Sequence, residues 1–231
     1  MINKKEPNME YQILYRPSYS LLKVDLKQGE AISSETGAMV SKSDGIDIET
    51  KMKGGFLGAL KRNVLGKESF FINTFTASKD GQISFAPSLP GDIHDIKLNG
   101  NTIYAQSGAY IASTPNITID TKWGGAKTFF SREGLFLLKI SGEGVVFLSS
   151  YGAIEEITLG PGEKYIVDTG HMVSFEEGVG YKVKKVGGLK STLFSGEGLV
   201  CELEGPGKIT IQTRSQDAFL SWLMPHVQKK G

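Results

Sequence analysis

One six-residue phrase occurs three times in this chain. Residues 36–41 read TGAMVS, residues 107–112 read SGAYIA and residues 169–174 read TGHMVS. Their glycines, Gly37, Gly108 and Gly170, are 71 and 62 residues apart. A double glycine follows each one at 17, 16 and 17 residues: Gly54-Gly55, Gly124-Gly125 and Gly187-Gly188. A glutamate heading a short apolar run comes next, at Glu68, Glu133 and Glu197. Three markers kept in one order three times define an internal repeat. Units of roughly 60 residues cannot each bury a sufficient core. The expectation is therefore one domain whose three repeats share a core with pseudo-threefold symmetry.

The pattern inside each unit is that of short antiparallel strands. Val24-Asp25-Leu26 matches Ile96-Lys97-Leu98 and Ile157-Thr158-Leu159. A turn follows each (Gly29-Glu30, Gly100-Asn101, Gly162-Glu163), then a second strand through Ile32, Ile103 or Ile166. Beyond the repeated glycine, Ile46, Ile48, Thr50 and Met52 alternate with Asp47, Glu49 and Lys51. Ile117 and Ile119 alternate likewise with Thr118 and Asp120. One apolar and one polar face mark a half-buried strand. Glycine-bearing hairpin turns are expected at 79–81, 142–144 and 205–207. The high glycine content, 29 residues, suits many turns rather than long helices. The resulting boundaries are a polar tail at 1–9 and a single domain at 10–231. Its repeats span about 22–94, 95–155 and 156–214, closed by a helix at 215–226.

Two segments break the repetition. Unit one carries an insertion, GGFLGALKRNVLG, in which Phe56, Leu57, Leu60 and Val64 share a helical face near 56–64. Lys61 and Arg62 lie off that face, and the basic run Lys51, Lys53, Lys61, Arg62, Lys67 contains no acid. An apolar face ringed by lysines can dock on anionic lipid or on a partner. It can equally plug the end of a barrel-like core with its lysines solvated. The second segment is the C-terminus, where Ser215 caps a helix near 216–224 with Asp217 in its first turn.

The block GALKRNVLGKESFFINTFTA, the repeated T/S-G phrase and the closing TRSQDAFLSWLMP resemble the altered-inheritance-of-mitochondria (mitochondrial biogenesis) family, over about Glu10 to Pro225. The resemblance implies a β-rich repeated fold similar to the tryptophan RNA-binding attenuation protein, of the double-stranded β-helix kind. It also implies a homo-oligomer, with a trimer favoured, and no established activity. The start MINKKEPNMEYQ has no signal or transit character, which matches the family's bacterial and archaeal branch and a cytoplasmic protein. A peripheral position on the membrane is the variant of that reading.

Catalytic signals are absent. The lone cysteine, Cys201, allows no intrachain disulfide and sits in an apolar run, as a buried inert thiol does. Asp92 and His94 would share a strand face as two metal ligands do, but no second His or Cys stands at ligand spacing. Glu68, Glu133 and Glu197 are better read as repeated turn residues than as a carboxylate site. No nucleophile elbow, P-loop or dinucleotide fingerprint appears, so neither a cofactor nor a metal is expected. With 26 basic against 25 acidic residues, the net charge of +1 disfavours nucleic acid. The leading expectation is a non-catalytic oligomeric scaffold or binding protein that acts through Phe56, Leu57, Leu60, Lys61 and Arg62. RNA binding by analogy of fold and a cupin-like metal or small-molecule enzyme are the alternatives.

Overall fold

The computed structural model describes residues 4–6, 9–52, 71–121, 136–185 and 199–227. Two strands precede the repeats: β1 (Lys4–Glu6) and β2 (Met9–Leu14). The first lies inside the stretch expected as a tail and pairs with Met9–Tyr11. Unit one follows as β3 (Leu21–Leu26), β4 (Ala31–Glu35), β5 (Met39–Lys42), β6 (Ile46–Met52), β7 (Phe71–Ala77) and β8 (Gly81–Phe85). Unit two is β9 (Ile93–Gln106), β10 (Tyr110–Ser113), β11 (Ile117–Asp120) and β12 (Leu137–Ser149). Unit three is β13 (Ile154–Leu159), β14 (Lys164–Asp168), β15 (Met172–Glu176), β16 (Gly180–Lys185), β17 (Leu199–Glu204) and β18 (Gly207–Gln212). Helix α1 (Gln216–Leu223) ends the described chain with a short 3₁₀ turn.

All pairing between these strands is antiparallel, and one scheme recurs. In unit one β8 lies between β3 and β5, while β7 lies between β4 and β6. In unit three β18 lies between β13 and β15, while β17 lies between β14 and β16. Unit two does the same with longer strands. The second half of β12 lies between the first half of β9 and β10, and its first half lies between the second half of β9 and β11.

The turns expected at Gly100 and at 142–144 are therefore bends inside continuous strands. Gly100 keeps the positive φ of its counterparts Gly29 and Gly162 (+86° against +87° and +73°). The bend at Ser141–Glu143 is a register shift in the β9–β12 ladder. The left-handed backbone at the Gly100 position is kept across the units even where the hydrogen-bond ladder runs through it.

The buried apolar residues fall into three clusters rather than the one shared core expected from repeat size. Each cluster borrows from a neighbour, which is how units this small become covered. The first joins Leu22, Val24, Phe75 and Phe85 to Ile111, Ala112, Val145 and Phe147 of unit two. The second, around Leu98, Leu138 and Ile140, takes Ile72 from unit one and Val173 from unit three. The third, around Phe175, Leu203 and Ile209, takes Leu137 from unit two. The continuous apolar run at Leu137-Leu138 follows from this, because its two faces serve two clusters.

Two side-chain placements differ from the sequence expectation. Ile48 and Thr50 are exposed although Ile46, two residues before, is buried. Strand β6 ends its sheet, and nothing among the described residues covers it beyond Ile46. Ile166 is 64 % exposed although Ile32 and Ile103 are buried. Counted from the repeated glycine, Ile166 stands opposite Ser33 and Tyr104, not opposite Ile32 and Ile103. The inward residue is the next one, Val167, because one step along a strand reverses the face.

The connectors between units are tied together at one point. Gly91 and Gly152 form a parallel bridge, and Asp92 N–H donates to the Gly152 carbonyl at 3.1 Å. The Asp92 carboxylate, nearly buried, receives both Arg16 Nε and Nη2 at 2.8 Å. It also accepts from Ser20 Oγ and from Ile93 N–H, each at 2.8 Å. Burial acts to raise its pKa, but the bonds from Arg16, Ser20 and Ile93 outweigh burial and hold it below the ordinary value.

Candidate functional site

Strands β5, β10 and β15 are the same element of the three repeats, yet their surroundings differ. Every residue of β10 is buried, as are Met172–Phe175 of β15, whereas every residue of β5 is exposed. Val40 is 57 % exposed, while its counterparts Ile111 and Val173 are each 1 % exposed. The cause is the second neighbour. Beside β12, β10 also pairs with β4 of the preceding unit, Ala112 opposite Ser34 and Ser113 opposite Ser33. Beside β18, β15 pairs with β9 of the preceding unit, Ser174 opposite Ala105 and Phe175 opposite Tyr104. Strand β5 ends its sheet at β8 and has no second partner among the described residues.

The complementary edge is also open. Strands β4 and the second half of β9 each hold a neighbour's strand. Their counterpart β14 is bonded to β17 alone among the described residues and ends its own sheet. Lys164, Tyr165 and Ile166 are exposed along it. Among the described residues the repeat thus presents two unlike edges without a second partner, β5 with Met39 and Val40 and β14 with Tyr165 and Ile166. A row of free N–H and C=O groups carrying apolar side chains is a template for a further strand.

Next to the two formed junctions lies a cavity of about 260 Å³. Glu35 ends β4 and Gln106 ends β9, and both line it. They are counterparts, one residue before the T/S-G pair of their units. The glycine turns at Gly108 and Gly170, Ser149, Ser150 and Gln212 complete most of the wall. Gln212 is engaged at both ends of its amide, accepting from Tyr151 N–H and donating to the Gly170 carbonyl. Ser149 donates to the Ala109 carbonyl and Ser150 to that of Gly152. The Glu35 carboxyl and the Gln106 amide make no hydrogen bond among the described residues. Burial pushes the Glu35 pKa up to about 7.

The model of the family described as mitochondrial biogenesis AIM24 matches residues 11–214. The chain belongs to this family. An uncharacterised protein of Streptococcus pyogenes serotype M6 is 27 % identical over 223 residues, which are 93 % of this chain and 90 % of that one. The crystal structure of a Streptococcus pyogenes protein superposes with a TM-score of 0.80 at 26 % identity, over 95 % of this chain and 100 % of that one. The AIM24 match and these relatives support the β-rich fold and bring no reaction with them.

The residues singled out in the sequence are distributed as follows in this AIM24 chain. Gly37, Gly108 and Gly170 head β5, β10 and β15 as expected. Phe56, Leu57, Leu60, Lys61, Arg62 and the short helix near 56–64 lie outside the described residues, as do Glu68, Glu133 and Glu197. Asp92 and His94 do not form a pair of ligands, because Asp92 is taken by Arg16. His94 instead lies with its Nε2 3.7 Å from Glu156. Burial lowers the His94 pKa against the pull of Glu156 and Asp95. Among the described residues no group of three or more His, Cys, Asp or Glu side chains is placed to hold a metal. Cys201 is buried, and burial pushes its thiol up to about 12.

Helix α1 is capped as expected, Ser215 Oγ accepting from Ala218 N–H at 3.4 Å. Its apolar stripe is half-open, with Trp222 and Met224 each 63 % exposed. A ring contact of Phe219 with Tyr151 joins it to the sheets. No helix among the described residues is long and apolar enough to cross a membrane.

Sequence reading passed over β5, β14 and Glu35 as functional elements. The signal for the edges was present only as a count: three units in one chain form two internal junctions. Glu35 carried a signal in alignment, since its counterparts Gln106 and Asp168 are also polar.

Proposed function

We propose that this protein is a self-assembling scaffold or binding protein, non-catalytic, whose copies join through β14 of one and β5 of the next. The observation that carries this reading is the contrast between exposed β5 and its two buried counterparts. The internal junctions predict the register. Ser41 would face Val167, and Lys42 would face Ile166. Burying Met39, Val40, Tyr165 and Ile166 would contribute about 1.5–3 kcal/mol for each side chain taken fully from water. The added ladder bonds would set the register, as they do at the internal junctions. The homo-oligomer and the pseudo-threefold, attenuation-protein-like plan suggested by the sequence belong to this same proposal. They are supported by the pairing scheme that recurs in all three units.

The test is light scattering coupled to size exclusion on untagged protein, with the double variant Val40→Asp, Ile166→Asp beside it. The parent is expected as a multiple of the chain mass and the variant as a single chain with unchanged circular dichroism. Mixing Lys42→Cys chains with Ile166→Cys chains is expected to give a mixed disulfide under mild oxidation. A parent that runs as one chain would sink the proposal, as would a Lys42→Cys, Ile166→Cys double variant that closes its disulfide within one chain.

The apolar and basic segment at 54–66 supports a second contact, with an anionic lipid surface or a partner, and thus a peripheral membrane position. Flotation with vesicles of anionic lipid is expected for the parent and lost in Leu57→Asp, Leu60→Asp. Equal flotation of both proteins would remove the lipid reading.

A further inference from the structure

The cavity between the two formed junctions has an uneven chemistry. Among the described residues Glu35 is the only formally charged side chain in its wall. The rest is neutral: carboxamides, hydroxyls, glycine backbone and a short apolar border at Pro87 and Leu89. Most of the polar groups whose bonds are described above are already engaged with the protein. The Glu35 carboxyl and the Gln106 amide, like the side chains of Ser88, Tyr151 and Gln216, make no hydrogen bond among the described residues, and the first two are the counterparts contributed by units one and two. Gln106 is only 8 % exposed, so its amide is held within the cavity rather than spread into solvent. An ionised carboxylate accepts hydrogen bonds only, and no donor among the described residues reaches this one. Water or a ligand must supply the donors.

Charge selects among ligands. An anion would meet an unbalanced negative group in a poorly solvated recess. A cation would restore the balance that burial removes, since opposite charges attract more strongly in a recess screened less than bulk water. A single carboxylate with one amide is a thin donor set for a divalent metal, which takes six or more oxygens when it is calcium. It suits a planar or tetrahedral N–H donor group.

We propose that this cavity binds a small organic cation, an ammonium or guanidinium compound, with the Glu35 carboxylate as its counter-ion and the Gln106 carbonyl as a second acceptor. This site is independent of the strand edges and does not rest on assembly. Binding strengthens as Glu35 ionises. The other titratable groups nearby do not compete for that role. Tyr151 lines the wall, and Asp168 is turned to the Gly170 N–H at 2.8 Å. Tyr110, whose pKa is raised first by burial, keeps its hydroxyl on Ser113.

The experiment is isothermal titration of the full chain with 1,4-diaminobutane, guanidinium and choline, with 1,4-butanediol and acetate as neutral and anionic controls. At about pH 8 at least one of the cations is expected to bind one per chain, with the controls silent. Affinity is expected to fall by about tenfold on moving to about pH 6, following protonation of Glu35. In Glu35→Gln the affinity is expected to fall at least about tenfold and to lose its pH dependence. Gln106→Ala, which keeps the carboxylate, is expected to weaken binding and retain the pH profile. Equal binding of the diol would overturn the assignment. So would an unaffected Glu35→Gln variant, or the absence of binding by all three cations.

Discussion

Gly91→Ala is expected to destabilise the fold severely. A methyl group at this position would lie 1.7 Å from the Ser150 carbonyl oxygen and 2.8 Å from its carbon. Both atoms are backbone, so no side chain can step aside. The bridge between Gly91 and Gly152 would have to open, with it the bonds from Asp92 N–H to Gly152 and from Ser20 N–H to Gly91. The expected loss is about 4 kcal/mol or more, the range reserved for overpacking combined with broken buried bonds. Urea unfolding followed by circular dichroism measures it. Gly29→Ala is the matched control. It also replaces a glycine, at φ +87°, but its methyl group meets nothing within 4 Å. It should cost only the about 1–2 kcal/mol of a left-handed alanine. A Gly91→Ala protein as stable as the control would mean that the two connectors can separate without harm.

Arg16→Ala is expected to destabilise the protein by about 2–4 kcal/mol near neutral pH, by stranding the Asp92 carboxylate. The value is set below the range for a fully buried pair because Arg16 is half exposed and Asp92 keeps Ser20 and the Ile93 N–H. The sign of the pH dependence follows from the lowered pKa of Asp92 in the folded state. Its contribution is present above the unfolded value of about 3.9 and is lost as pH falls through the lower folded value. The gap between parent and variant should therefore narrow in acid. Asp92→Asn on the Arg16→Ala background should recover part of the loss, since the unpaired charge is then gone. No recovery would show that Arg16 acts by packing and not as a counter-ion.

The repeats, the strand-rich class and the capped C-terminal helix were legible because each writes a periodic or local signal. Ile117 and Ile119 alternate with Thr118 and Asp120, and the structure buries the first pair and exposes the second. The glycines at 29, 100 and 162 mark the same positive φ in each unit. What could not be read was which equivalent residues meet a neighbour. Val40, Ile111 and Val173 are nearly the same residue in the same phrase, and only pairing in space separates one from the others. The face of Ile166 was misplaced because its β14 run aligns by the glycine and not by the isoleucine. Glu35 escaped notice because a carboxylate one residue before a turn looks like any solvated acid. Its raised pKa comes from the wall that two other units build around it. The knot at Asp92 was half visible: the aspartate was noticed, but its partner Arg16 lies 76 residues away in sequence.

The two edges left without a second partner among the described residues are unlike each other, so a contact made from them has direction. A single contact between two copies leaves one β5 and one β14 over, and only a further contact that closes the assembly uses them. Such copies either close into a ring, where each unit-three edge finds the next unit-one edge, or continue without end. Closure would set copy number by the angle between the first and last repeats, an angle fixed inside each chain by the Gly91–Gly152 bridge and the two internal junctions. The count of subunits would then be a property of the connector and not of the interface, and altering the connector would change ring size while leaving the contacting strands untouched.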